Sequence, residues 1–144
     1  MRYELAVEIA RPPAEVYAFL ADPSNLPRWQ DDVHEIRDAT GDALPAGATF
    51  TEVRTFMGKR VESTLEVTAS EPEREFSLRS LSGPVRVVVR HVLEPTDTGT
   101  LVKLEGEADP GKLFGLAGPL VRKAAERRAR ADFERLKAAL EARA

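Results

Sequence analysis

Alternation opens the chain: Tyr3, Leu5, Val7 and Ile9 fall on one side and Glu4 and Glu8 on the other, so Tyr3 to Ala10 reads as a half-buried strand. Arg11-Pro12-Pro13 stops it, and proline suits the first turn of a helix over Ala14 to Ala21 that carries Val16, Phe19 and Leu20 on one face. Asp22-Pro23 reads as a second cap and start, for a helix towards Trp29 that Pro27 keeps short. From Asp32 to Ala108 the pattern is almost all strand, in segments Val33–Arg37, Thr49–Phe56, Arg60–Ala69, Glu75–Leu81, Val85–Glu94 and Leu101–Ala108. Gly41-Asp42, Gly58-Lys59, Glu71-Pro72-Glu73, Ser82-Gly83-Pro84 and Pro95 to Gly99 supply turn chemistry between them, and connections this short predict an antiparallel meander. Asp109-Pro110 opens a last helical region reaching about Arg143. A break at Gly115 to Pro119 predicts a short helical piece and then a long helix from Pro119. On the long helix Val121, Ala125, Ala129, Phe133, Leu136 and Leu140 make one stripe. Its second half is large and should pack tightly on a sheet, whereas its alanine half leaves volume above one.

Composition narrows the function more by exclusion than by pointing. At 144 residues the chain is long enough for one domain, predicted to run from 1 to 144 with no linker or repeat. Apolar residues at 42% and charged residues at 31% fit a globular protein. No apolar run approaches the roughly 20 residues of a membrane span, and the first residues lack an apolar signal region. With no cysteine there is no disulfide, thiolate nucleophile or cysteine-held metal, and a cytoplasmic location is expected. A net charge of −3 argues against a nucleic-acid partner. That charge is unevenly spread: from Gly111 onward nine Lys/Arg face four Asp/Glu, while the first 110 residues hold twelve against twenty. The basic end reads either as the solvated back of a helix or as a face for an anionic partner.

The order strand, two short helices, six-strand meander and long C-terminal helix resembles the helix-grip fold of the START-like group, which includes polyketide cyclases and pollen-allergen-like proteins. Ile9-Ala10-Arg11-Pro12-Pro13-Ala14-Glu15-Val16-Tyr17 is similar to that group's opening strand-to-helix segment. Asp22-Pro23-Ser24-Asn25-Leu26-Pro27-Arg28-Trp29 resembles its second helix with a tryptophan, and the likeness continues through Leu93-Glu94-Pro95, Gly99-Thr100 and Leu136 to Glu141. The resemblance implies an α+β domain in which a curved antiparallel sheet of about seven strands wraps around the long helix. It also implies a mostly apolar cavity between them, closed at one end by the short helices. Trp29, Phe50, Arg54, Leu65, Phe76, Leu78, Val89, His91, Val121 and Ala125 become candidate ligand-binding residues of that cavity.

Few residues could carry chemistry. His91 is the one polar group on the strand face formed by Val85, Val87, Val89 and Leu93. It is a candidate acid, base or hydrogen-bonding group, or alternatively a core histidine satisfied by a neighbour. His34 has no clear facing and is expected at the surface. Two histidines without a carboxylate at ligand spacing give no metal site, and no cofactor is implied. Glu52 and Arg54 depend on hairpin register. A two-residue turn at Gly58-Lys59 would set Arg54 opposite Ser63 and Glu52 opposite Leu65, both pointing inward. A bulged three-residue turn would turn Thr51, Val53 and Thr55 inward instead, and of the two we expect the outward placement of Glu52 and Arg54. Were Glu52 buried beside His91, it would be a second catalytic candidate. Trp29 either plugs the cavity or touches its ligand. Ser63, Thr64 and Ser80 lack a nucleophile motif, no phosphate loop is present, and Arg128 with Asp132 reads as a surface i,i+4 pair.

These readings leave three functions: a cyclase- or dehydratase-like enzyme that folds a reactive chain with help from His91, a non-catalytic carrier or sensor of a lipid, quinone or aromatic compound, and an interaction module docking its basic helix on RNA or an acidic partner. A hydrophobic or amphipathic small molecule is the expected partner, and the chain is expected to be a monomer or homodimer.

Overall fold

The computed structural model describes residues 2–56, 58–109 and 118–143, with the backbone alone at Gly118 and Val121. Strand β1 spans Arg2–Ile9, and helix α1 follows at Pro13–Ala21. A 3-10 turn over Pro23–Asn25 then leads into the single-turn helix α2, Leu26–Trp29. Strands β2 (Val33–Arg37), β3 (Thr49–Phe56), β4 (Lys59–Glu71), β5 (Glu75–Ser80), β6 (Arg86–Pro95) and β7 (Thr100–Asp109) form the meander, and α3 covers Gly118–Glu141. The expected short helical piece before α3 lies outside the described residues. The start of the second short helix is made as its sequence suggests: Asp22 accepts from the Ser24 amide at 3.0 Å, and Pro23 occupies the first turn.

All seven strands are antiparallel in one sheet, ordered β1-β7-β6-β5-β4-β3-β2. The first strand therefore pairs with the last, and the chain from β1 to β2 crosses the sheet by way of the short helices. Two irregularities bend the sheet. Register shifts between Val67 and Ala69 in β4, and between Val33 and Glu35 in β2. Each bulge adds one residue to its strand and deepens the local twist, which curls the sheet towards α3. The bulge at His34 also explains why alternation could not assign that residue a side: it is exposed, with its ring nitrogen on the Thr55 hydroxyl.

The large half of α3 closes one end of the concave face. Phe133, Leu136 and Leu140 are 3%, 0% and 0% exposed and join Leu5, Ile9, Val16, Phe19, Val102 and Leu104 in the core. Arg11, two residues after β1, fixes the end of this helix by donating to the Leu140 and Glu141 carbonyls at 3.0 and 3.2 Å, where helix termini leave acceptors unmet. Lys137 reaches back to the Glu8 carbonyl at 2.7 Å. The alanine half of α3 is built otherwise, with Ala125 and Ala129 half-buried over open volume.

Candidate functional site

Between the concave face of the sheet and the first half of α3 lies a cavity of about 580 Å³. Alternation along each strand delivers its wall. Phe50, Glu52, Arg54 and Phe56 come from β3, Val61, Ser63 and Leu65 from β4, Phe76, Leu78 and Ser80 from β5, and Val87, Val89 and His91 from β6. Trp29 of α2 and Ala124, Ala125, Ala129 and Phe133 of α3 complete it. The candidates Trp29, Phe50, Glu52, Arg54, Leu65, Phe76, Leu78, Val89, His91 and Ala125 are thus gathered around one space. Val121 is the exception, because its side chain lies outside the described residues.

The outward placement expected for Glu52 and Arg54 is overturned. Phe56 pairs with Lys59, so the hairpin connection is two residues long and starts one residue earlier than the Gly58-Lys59 turn considered from the sequence, with Gly58 at φ +78°. Glu52 now stands opposite Ser63 and Arg54 opposite Val61, with both side chains on the cavity side. Glu52 is 7% exposed. Burying two such groups is costly unless they pair, and they do: Arg54 Nε and Nη2 donate to the two Glu52 oxygens at 2.9 and 3.0 Å. The same guanidinium donates to Asp32 at 3.2 Å and to the Gln30 side-chain oxygen at 2.9 Å. Burial works against the Arg54 charge, but Glu52 and Asp32 outweigh it and hold its pKa above the ordinary value.

His91 is 6% exposed, with its ring roughly parallel to Phe133 at a centroid distance of 6.1 Å. Its Nδ1 lies 3.1 Å from the Phe76 carbonyl. A carbonyl can only accept, so Nδ1 carries the proton and Nε2 is left as an acceptor. Burial pushes the imidazole down to about 4, only partly opposed by the hydrogen bond to Phe76, so the ring is neutral near pH 7.

Sequence reasoning missed the acidic side of this end. Asp132 is 6% exposed, and burial followed by the charge of Asp32 pushes it up to about 6. It does not pair with Arg128 as the helix spacing suggested. Arg135 donates to Asp132 Oδ1 at 2.6 Å, while Arg128 crosses to Asp31 at 3.0 Å and lies 3.9 Å from Asp32. Arg128 and its acids are about a hundred residues apart in sequence, so spacing along one helix could not reveal them; the available signals were an acid on the phase of Ala125, Ala129 and Leu136, and Arg135 three residues beyond it. Tyr3 joins the same end. Burial holds its phenol above the ordinary value, with Arg54 acting against that and Asp132 with it. Its ring lies across Gly106 in the facing strand, where an added Cβ would come within 2.4 Å of it.

Among the described residues no three of His, Cys, Asp or Glu are grouped to hold a metal ion, and no helix is long and apolar enough to cross a membrane. The arrangement is an apolar hollow with one charged, largely self-paired end and a neutral histidine in its wall. It can seat an apolar molecule and hydrogen-bond a polar group on it.

None of the curated proteins matches the chain. Solved structures match over nearly its whole length. A protein from Chromobacterium violaceum superposes with a TM-score of 0.80 at 14% identity, covering 99% of each chain. A START superfamily protein from Mycobacterium smegmatis gives 0.77 at 15% identity, covering 97% of each. The di-domain ARO/CYC StfQ of the steffimycin biosynthetic pathway gives 0.73 at 15% identity, over 95% of this chain and 50% of that one. The shared architecture is the helix-grip fold. The model of one family, described as polyketide cyclase/dehydrase and lipid transport, matches residues 1–141. By that match the chain belongs to the polyketide cyclase/dehydrase and lipid transport family.

Proposed function

We propose that this chain binds an apolar or amphipathic small molecule in the space between its sheet and α3, acting as a carrier or sensor. The observation that carries this reading is the hollow of about 580 Å³ left where α3 presents alanines, within the usual size range for small-molecule sites. Its wall is largely aliphatic and aromatic, as a site for an apolar ligand requires, with charged groups gathered at one end. Binding without turnover is favoured by the state of the two catalytic candidates. His91 is a weak base when held down to about 4, and both Glu52 oxygens are engaged by Arg54. One observation favours a second reading, a cyclase- or dehydrase-like enzyme: Asp132, pushed up to about 6 at the cavity edge, is placed to exchange a proton near neutral pH. The sparse titratable set could then suffice if the cavity holds its substrate in a reactive shape.

Titration with the neutral dye N-phenyl-1-naphthylamine tests the binding reading. The expected outcome is a saturable fluorescence rise at one site, abolished in Ala125→Phe, which fills the space, while the circular dichroism spectrum is kept. No rise with the native chain, or an equal rise with Ala125→Phe, would count against it.

A further inference from the structure

The binding reading can be taken further, to the ligand's polar group, by asking which charges and hydrogen-bonding atoms the cavity end leaves over. Its charged lining comprises Asp32, Glu52 and Asp132 against Arg54 and Arg128, an acidic excess of one. The more buried of the two cations is already committed, and the other is half-exposed. Arg54 gives four of its five N–H groups to Glu52, Asp32 and Gln30, and Arg128 is drawn out to Asp31. Some acceptors are not. Asp32 Oδ1 is buried without a hydrogen-bond partner among the described residues. Asp132 takes the Arg135 hydrogen bond on Oδ1. His91, more than nine-tenths buried in the cavity wall, has spent Nδ1 on Phe76 and keeps Nε2 as an acceptor.

A buried acceptor without a donor is costly, and two neighbouring carboxylates repel each other. Burial raises the Asp132 pKa, and the charge of Asp32 adds to the rise. A group that brings N–H donors and positive charge relieves both costs. An incoming carboxylate meets two like charges and finds the nearest guanidinium already occupied.

We propose that the cavity selects apolar molecules headed by a protonated amine, seated against Asp32 and Asp132, over equally long molecules that end in a carboxylate. The proposal rests on the binding reading and is tested so that the two can fail separately. Decylamine, decanol and decanoate, each below its micelle concentration at pH 7, are used to displace N-phenyl-1-naphthylamine from the native chain. The expected order is decylamine, then decanol, then decanoate, with about tenfold or more between the first and last. In Asp132→Asn the gap between amine and carboxylate should close to about threefold or less, with Asp32→Asn as the second variant should the first fail to fold. Decanoate displacing dye as well as decylamine, a gap unchanged in both variants, or dye displaced by none of the three would each overturn the amine assignment. A native chain that takes up no dye at all overturns the binding reading itself.

Discussion

Arg54 holds its charge inside the cavity wall, and removing it would strand Glu52 and Asp32 without their counter-charge. Breaking a buried pair on one side costs more than the pair contributes, because the remaining charge stays desolvated. Arg54→Ala is therefore expected to lower stability by roughly 3 kcal/mol in urea unfolding, and the double change Glu52→Gln/Arg54→Met by clearly less. Equal losses from both would mean the pair is solvated. A second residue-scale expectation concerns pH. The folded-state pKa of Asp132 is raised from 3.8 to about 6, so its contribution to stability is present at low pH and lost as pH rises from about 4 to 6. Asp32, Arg128 and Arg135 face it, and the two arginines only partly oppose the rise. His91, packed on Phe133 and bonded to Phe76, is depressed from 6.5 to about 4, so its contribution is lost as pH falls through that window. The two slopes oppose. Between pH 4.5 and 6 the native chain should show a nearly flat unfolding midpoint, Asp132→Asn one that rises with pH, and His91→Asn one that falls. Parallel slopes in both variants would exclude this pairing of shifts.

At the scale of elements, α3 divides its duties along its length. Leu136 is fully buried, and Leu136→Ala should cost roughly 3 kcal/mol by urea unfolding through lost contacts and a new void. Ala125→Phe fills existing space and should cost far less, the contrast being the check on where α3 is packed and where it is not. Much of this was legible beforehand. The strands were readable from period-two alternation, and the long helix from the stripe that ends in Phe133, Leu136 and Leu140. What resisted reading was whatever depended on a single residue of register or on distant partners. The facing of Glu52 and Arg54 turned on whether the β3–β4 connection held two residues or three, and local turn chemistry allowed both. His34 fell on a bulge, where alternation stops. Asp132 looked like half of a surface pair with Arg128, because the helix spacing shows Arg128 but not Asp31, which takes it. The same pairing weakens the basic face of α3 as an RNA-docking surface, since Arg128 and Arg135 are turned to acids of this chain.

For the whole molecule, the sheet order places β1 beside β7, so the wall of the cavity is closed by strands from both ends of the chain. At Gly106 in β7 that junction is tight. A side chain there would collide with Tyr3, and Gly106→Ala should lower the thermal midpoint and loosen the polar end together. An unaltered midpoint would mean that the Tyr3 ring moves freely. The central claim is that the curled sheet and the alanine half of α3 enclose real, apolar, unfilled space. Diffraction from crystals of the protein held under xenon tests this most directly, because xenon settles in dry apolar hollows. The account predicts ordered xenon between Ala125, Ala129, Leu65 and Val89, absent in Ala125→Phe. Side chains filling that space, with no xenon bound beneath α3, would contradict it.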